Sequence, residues 1–194
     1  MSDGPHPKNR VEAIRWARQV MADPTAVFLD TETTGLGAAS EVVDLAVVAL
    51  NGEVLINHLV RPANRIPTDA TFIHGISNRD VANAPDWTGI VRMFRPVLEN
   101  RTIVAYNAQF DRSMVDQNCV LAEMPILDAR WTCAMRAFTA FRRDCPEPPR
   151  MHGWHRLSTA ARSFGIAEPQ HRALSDALAC RLVVARMAES EPLF

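Results

Sequence analysis

The sequence predicts an α/β fold with a mixed sheet and helices packed against it. Residues 26–29 form a short, continuous apolar run, which is typical of a central strand buried on both faces. Two β-rich runs, 41–50 and 53–60, are separated by Asn51-Gly52, the strongest short-range signal of a hairpin. Helical and strand-like patterns alternate after this three-strand meander, and that order places helices against a sheet.

The N-terminal segment predicts one helix ahead of the first strand. Apolar residues at 11, 14, 17, 20 and 21 repeat at helical spacing, and Pro24 ends the pattern. We therefore treat residues 1–24 as an extension with one helix and residues 25–190 as the main domain, with the helix expected on the outer side of the sheet.

The remaining elements follow the hairpin in order. Helices are predicted at 87–98, 132–141, 157–164 and 171–187, and a further helix follows residue 106 and runs through Asp111 to residue 120. Strands are predicted at 101–106 and 126–131. Between the last strand and the last helices, residues 142–153 contain three prolines and predict a loop.

Size and composition indicate a single globular domain. The chain has 194 residues, of which 47% are hydrophobic, so it can bury a core without disulfide staples. The four cysteines show no Cys-x-x-Cys spacing and are interpreted as reduced thiols. No secretion signal and no apolar run of about 18 residues is present, and we expect a cytoplasmic protein with no membrane partner.

Charge is unevenly distributed along the chain. The net charge is −1, yet residues 130–172 contain eight arginines against three acids, a balance of +5 that leaves −6 elsewhere. This division suits an acidic metal site beside a basic lobe that binds a polyanion. A solvated charged surface explains the same run equally well.

Acidic side chains stand at the ends of three predicted core elements. Asp30 and Glu32 end the first strand and, at a period of two, point to the same face. Asp111 lies one turn into a helix, where a first-turn acid that complements the helix dipole is the simpler interpretation of that residue alone. Asp176 lies in the last helix, and His171, five residues earlier, is expected at the helix start or on the loop before it.

Together these side chains suit hydrolysis of a phosphodiester. Carboxylate oxygens are preferred ligands of Mg²⁺ and Mn²⁺. Two such ions about 3.5–4 Å apart can clamp the attacking and leaving oxygens of a phosphoryl displacement. An imidazole titrates near neutral pH and can accept the proton of the attacking water.

The segments that carry these residues resemble the DEDDh-type 3′-to-5′ exonucleases, a family that includes the proofreading subunit of bacterial replicative polymerases and ribonuclease T. The first motif resembles Asp30-Thr31-Glu32-Thr33-Thr34-Gly35-Leu36, the second Asn107-Ala108-Gln109-Phe110-Asp111, and the third, in its histidine form, His171-Arg172-Ala173-Leu174-Ser175-Asp176. Phe72-Ile73-His74-Gly75-Ile76-Ser77 resembles a family segment between the first two. The resemblance extends from about residue 26 to residue 187.

This resemblance implies a ribonuclease H-like fold, a five-stranded mixed sheet flanked by helices, with residues 25–190 as the exonuclease domain. It also implies two divalent cations, Mg²⁺ or Mn²⁺. Asp30 would bridge both ions, Glu32 and Asp176 would complete one site, and Asp111 would hold the second ion, partly through water. His171 would deprotonate the attacking water.

The resemblance also implies residues that contact the substrate. The expected set is Thr33, Leu36, His74, Ile76, Asn107 and Phe110. For Leu36, Ile76 and Phe110, ordinary core packing remains the alternative. A pocket of apolar and aromatic faces would stack bases without reading their sequence.

The predicted activity is removal of nucleoside 5′-monophosphates from the 3′ end of a nucleic acid, with single-stranded DNA favoured. The alternatives are an exoribonuclease that trims RNA and a proofreading subunit bound to a polymerase. A non-catalytic binding module would have lost ligand residues, whereas all five are present. Expected partners are a nucleic acid with a free 3′ end and a DNA polymerase or a replication or repair complex. The loop at 142–153, with Trp154, is either a cover or grip for single-stranded substrate or a plain solvated connection.

Overall fold

The computed structural model describes residues 6–143 and 154–192. The strands are β1 (Ala26–Thr33), β2 (Val42–Ala49), β3 (Val54–Leu59), β4 (Thr102–Ala105) and β5 (Arg130–Cys133). The helices are α1 (Arg10–Ala22), α2 (Thr68–His74), α3 (Trp87–Leu98), α4 (Ala108–Leu121), α5 (Ala134–Arg142), α6 (Leu157–Ser163) and α7 (Ala173–Glu189).

The strands form one five-stranded mixed sheet in the order β3-β2-β1-β4-β5. The meander β1-β2-β3 is antiparallel, while β4 and β5 run parallel to β1. The carboxyl ends of β1, β4 and β5 therefore meet at one edge of the sheet, here called the carboxyl edge. The predicted architecture, a five-stranded mixed sheet with flanking helices, is confirmed.

Two hydrophobic layers cover the sheet, one on each face. Phe28 of β1 packs with α1, α5 and α7 through residues such as Phe138 and Met187. Val27 and Leu29 face the opposite side and pack with α3 and α4. Because successive strand side chains alternate between faces, the continuous apolar run 26–29 fills both layers, as its pattern predicted.

Helix α1 belongs to the first of these layers. It contacts α5 and α7, and it buries Ala13, Ile14, Ala17 and Val20 in the shared core. Asn9 caps the helix by accepting a hydrogen bond from the Glu12 N–H at 2.9 Å. The apolar face of the helix is thus covered by other helices and is not left to solvent.

The boundaries of β5 and α5 differ from the prediction. The strand runs over 130–133 instead of 126–131, and α5 begins at Ala134 instead of residue 132. Strand β5 pairs residue by residue with the four residues of β4, from Thr102 to Ala105, so its partner determines its extent. Ile126, which the apolar pattern placed in the strand, is 54% exposed.

Two helices also depart from the expected pattern. Helix α2 was not predicted, because its seven residues bury only Ala70 and His74 and give little periodicity. Helix α7 begins at Ala173 and not at residue 171, which leaves His171 on the preceding loop. Most of the predicted proline-rich loop, residues 144–153, lies outside the described residues.

The structure also bears on membrane crossing and on the state of the cysteines. Across residues 6–143 and 154–192, no helix combines the length and hydropathy that a membrane crossing requires. Cys119, Cys133 and Cys180 are buried free thiols, and Cys145 lies outside the described residues.

Candidate active site

The motif residues gather at the carboxyl edge, where β1 extends beyond its parallel neighbour. Strand β1 pairs with β4 only over residues 26–28, whereas its pairing with β2 continues to Thr33. The last residues of β1 therefore lack a strand partner on the β4 side. Two residues separate β4 from helix α4, which brings Asp111 to this open stretch.

Asp111 supplies the missing hydrogen-bond acceptor. Its Oδ1 atom accepts hydrogen bonds from the Thr31 N–H at 3.1 Å and from the Thr31 hydroxyl at 2.9 Å. The side chain is buried in the first turn of α4. Because Thr31 lies between Asp30 and Glu32, these bonds fix the second motif directly against the first.

The third motif approaches the same strand end from α7. Glu32, His171 and Asp176 each offer a ligand atom, and these atoms all lie within 4.8 Å of one another. Asp176 sits in the first turn of α7, and its Oδ1 accepts a hydrogen bond from the Gln170 N–H at 3.2 Å. His171 is exposed on the loop before the helix, as its five-residue offset from Asp176 predicted.

The crowding of these acids is visible in their pKa values. Burial, followed by the charges of Asp111 and Asp176, raises the pKa of Asp30 well above its usual range. Burial and the charges of Asp176 and Asp44 raise the pKa of Glu32 to about 8. Burial also raises the pKa of Asp111, to about 7, and that of Asp176. All four carboxyl groups resist ionisation when no cation is near.

These residues fit divalent cations. Two of the four carboxylates, those of Glu32 and Asp176, share their cluster with an imidazole, and Asp30 interacts electrostatically with both of them and with Asp111. Oxygen donors suit hard ions, and a bound cation would offset the mutual repulsion that raises these pKa values.

Three of the expected substrate residues end or follow β1 or precede α4, and they differ in exposure. Leu36 is 83% exposed just after β1. Asn107 is exposed at the start of α4, and its side chain makes no capping hydrogen bond. Thr33 is buried, and its hydroxyl donates a hydrogen bond to the Gly35 carbonyl at 2.7 Å. Leu36 and Asn107 thus have free surface for a ligand.

Ile76 and Phe110 are placed in hydrophobic clusters. Ile76 is 2% exposed and packs with Val43 and Ile66, so its side chain has no surface to offer a nucleotide. Phe110 is half-buried against the core layer of α3 and α4. For both residues this packing favours the alternative of a core role, and their contact with substrate stays a prediction.

His74 is buried, and its hydrogen bonding indicates its tautomer. The Nδ1 atom accepts a hydrogen bond from the Ile76 N–H at 3.1 Å, so Nε2 carries the ring proton in the neutral form. The ring also interacts with the backbone of Thr33, which acts against the effect of burial on its pKa. Burial lowers the pKa of His74 and favours this neutral form.

Sequence analysis assigned no role to two residues beside the site, Asp44 and Arg172. Asp44 of β2 stands opposite Glu32 in the β1–β2 pairing and is 1% exposed. Its Oδ2 atom accepts hydrogen bonds from the Arg172 Nε at 2.9 Å and from the Ala173 N–H at 3.3 Å. The available signal was a single acid inside a strand whose other seven residues are apolar.

Known proteins resemble this chain over most of its length. A family model described as Exonuclease (RNase_T) matches residues 27–183. An uncharacterized exonuclease, CP81, of Escherichia phage 186 is 35% identical over 168 residues, which are 81% of this chain and 84% of that protein. A DNA polymerase III subunit epsilon-like protein of Rhodobacter capsulatus is 32% identical over 170 residues, 80% of this chain but 22% of that protein.

A solved structure has the same fold. Exonuclease X in complex with 5′-overhanging duplex DNA gives a TM-score of 0.60 at 25% identity, over 86% of this chain and 94% of that chain. The expected ribonuclease H-like fold is confirmed by this likeness.

Proposed function

The chain belongs to the exonuclease family whose model matches residues 27–183, and is therefore a hydrolytic nuclease; we propose that it is a metal-dependent 3′-to-5′ exonuclease. In this proposal it releases nucleoside 5′-monophosphates from the 3′ end of single-stranded DNA. The observation that carries the proposal is the cluster of Glu32, His171 and Asp176 beside two further acids, the half-buried Asp30 and the buried Asp111.

The proposed roles follow from the position of each group. Asp30, Glu32, Asp111 and Asp176 would hold two divalent cations, Mg²⁺ or Mn²⁺. Such ions polarise a phosphoryl oxygen and favour a nucleophilic hydroxide when bound. Thr31 keeps Asp111 oriented through two hydrogen bonds. The exposed imidazole of His171, next to Glu32 and Asp176, accepts the proton of the attacking water.

Substrate preference is proposed from the relatives. The Rhodobacter relative is described as DNA polymerase III epsilon-like, and exonuclease X was solved with DNA. Both favour DNA over RNA as the polymer with the free 3′ end. A DNA polymerase, or a replication or repair complex, is the protein partner that the epsilon-like relative suggests, and the free buried thiols support a cytoplasmic location.

The test is a degradation assay on matched substrates. Single-stranded DNA and RNA of equal sequence, labelled at the 5′ end, are incubated with the protein in Mg²⁺, Mn²⁺ or EDTA. We expect a ladder of shortened, still labelled products on DNA, release of 5′-monophosphates, and no reaction in EDTA. Asp30→Asn should lower the rate by a factor of at least about 10³, because it removes the shared carboxylate.

A matched acid serves as the control. Asp128 is exposed in the loop before β5, at the amino ends of the parallel strands and away from the carboxyl edge. Asp128→Asn should therefore keep the wild-type rate. Hydrolysis that survives EDTA, or that survives Asp30→Asn, would reject the proposed mechanism. Faster degradation of RNA than of DNA would assign the protein to RNA trimming instead.

A further inference from the structure

Helix α7 starts without a cap from its own sequence. Arg172 occupies the position before the helix, and its side chain makes no capping hydrogen bond to the first turn. The first N–H groups of a helix need acceptors, and carboxylates are the most favourable ones because of the helix dipole. In this protein the acceptor for the Ala173 N–H comes from another element, as the Oδ2 atom of Asp44 on β2.

Asp44 is rigidly placed relative to the proposed metal site. It lies in the interior of β2, is buried, and stands directly opposite Glu32 in the antiparallel pairing of β1 with β2. A buried carboxylate is tolerated when it is paired and hydrogen-bonded. Arg172 provides that pairing at 2.9 Å, so one carboxylate oxygen holds both the side chain of Arg172 and the backbone of the next residue.

His171 lies between this anchor and a second one. On its other side, the Gln170 N–H donates hydrogen bonds to Ser175 Oγ at 3.3 Å and to Asp176 Oδ1 at 3.2 Å. His171 itself has a φ of 50°, in the left-handed region that non-glycine residues rarely adopt. Such a conformation persists only where the surrounding contacts determine it, and contacts on both sides of His171 do so.

We propose that Asp44 is a positioning residue for the proposed general base: through Arg172 and the Ala173 N–H it holds His171 at the proton-accepting position beside Glu32 and Asp176. Asp44 does not contact substrate or metal in this proposal. The inference rests on the proposed function, because it assumes that His171 accepts the proton of the attacking water.

The geometry explains why a positioning residue is needed here. His171 is exposed, and among the described residues no hydrogen bond of its own side chain holds the imidazole in place. Beside the nearby Glu32 and Asp176 carboxylates, the backbone of residue 171 therefore does most to place the ring. A displacement of about 1 Å at a reacting group can lower a rate about 100-fold, so loosening the loop should affect turnover more than substrate binding.

The test is a double-mutant cycle between Asp44 and His171, measured in steady-state turnover with excess substrate and Mn²⁺. We expect Asp44→Ala to lower kcat about 30-fold and to change KM less than about threefold. His171→Ala should lower kcat by a larger factor, about 10² to 10⁴, typical of a lost general base. When His171 is already alanine, adding Asp44→Ala should lower kcat by less than a further factor of about three, because the group that Asp44 positions is already absent.

Two further variants separate positioning from a general loss of structure. Asp44→Asn keeps the shape of the side chain and one acceptor oxygen, so it remains folded and should show a smaller kcat loss, about fivefold, that also vanishes in the His171→Ala background. Arg186→Ala removes an ion pair to Glu189 in the last turn of the same helix and should leave kcat unchanged.

A readout independent of activity completes the design. Amide hydrogen exchange should become faster at the first turn of α7 in Asp44→Ala and stay unchanged at its last turn. If both Asp44 variants lower kcat equally with and without His171, the proposal is overturned and Asp44 acts elsewhere. If instead wild-type protein shows no metal-dependent hydrolysis, the proposed function itself fails, and the two failures are thus distinguishable.

Discussion

Thr31 connects the proposed metal ligands without being one of them. Both its backbone N–H and its hydroxyl donate hydrogen bonds to Oδ1 of Asp111, while its neighbours Asp30 and Glu32 carry the carboxylates of the first motif. Hydrogen bonds to a ligating carboxylate orient it and retain it in the ionised form. The burial that raises the pKa of Asp111 is indeed opposed by these bonds from Thr31.

Thr31→Val tests this connection. Valine keeps the shape of threonine but removes the hydroxyl donor, while the backbone bond to Asp111 remains. We expect the apparent metal affinity in a Mn²⁺ titration of activity to fall about 10-fold, within the range for partners of ligating groups. Thr139→Val, which removes a hydroxyl bonded to the Met135 carbonyl on α5, is the control and should leave the titration unchanged. Equal curves for Thr31→Val and wild type would contradict the role of Thr31.

At the scale of elements, helix α1 is more closely integrated than its position before the first strand suggested. It buries residues in the same layer as α5 and α7, and the Trp16 indole N–H donates a hydrogen bond to the Thr132 hydroxyl at 3.0 Å. Thr132 belongs to β5, whose carboxyl end lies at the site edge. We therefore infer that α1 supports the elements that carry the site.

Ile14→Ala measures this support. The side chain is 2% exposed in the core layer, so its truncation should lower the free energy of unfolding by about 2–5 kcal/mol. Val11→Ala on the same helix removes a 44% exposed side chain and should cost less than about 1 kcal/mol. Urea denaturation of both variants gives the comparison. A loss below about 1 kcal/mol for Ile14→Ala would show that α1 is a dispensable extension.

At the scale of the whole molecule, β1, α4 and α7 each bring acids to the site, and the pKa values of these acids are raised in the folded chain. The pKa of Glu32 is raised from 4.5 to about 8, and those of Asp30, Asp111 and Asp176 are raised as well. A carboxyl group whose pKa is higher in the folded chain favours folding fully below its unfolded pKa. That contribution is lost as the pH rises through the folded value.

The metal-free protein should therefore lose stability with rising pH. In EDTA we expect the free energy of unfolding to fall between about pH 4.5 and about pH 8, the interval given by Glu32. Added Mg²⁺ or Mn²⁺ should restore stability most strongly at the upper end, because a cation binds the ionised cluster in the folded chain alone. Asp30→Asn should flatten the dependence, whereas Asp128→Asn should retain it. A pH-independent free energy of unfolding in EDTA would contradict the crowding of the four acids.

The sequence by itself determined the features that depend on neighbouring residues. The apolar run 26–29 identified the central strand, and Asn51-Gly52 identified the turn between β2 and β3. The offset of five between His171 and Asp176 predicted that the histidine lies at the start of its helix or on the loop before it. Each of these is a short-range pattern, because strand alternation, tight turns and helix starts are set within a few residues.

Tertiary structure decided the features that depend on partners distant along the chain. The extent of β5 followed from β4, Ile76 entered a small core with Val43, and Asp44 found its partner 128 residues away in Arg172. No local pattern contains such pairings, since hydrogen-bond partners and burial are assigned only when separate elements pack. The identities of the acids were therefore readable in the sequence, whereas the contacts that orient them belong to the folded molecule.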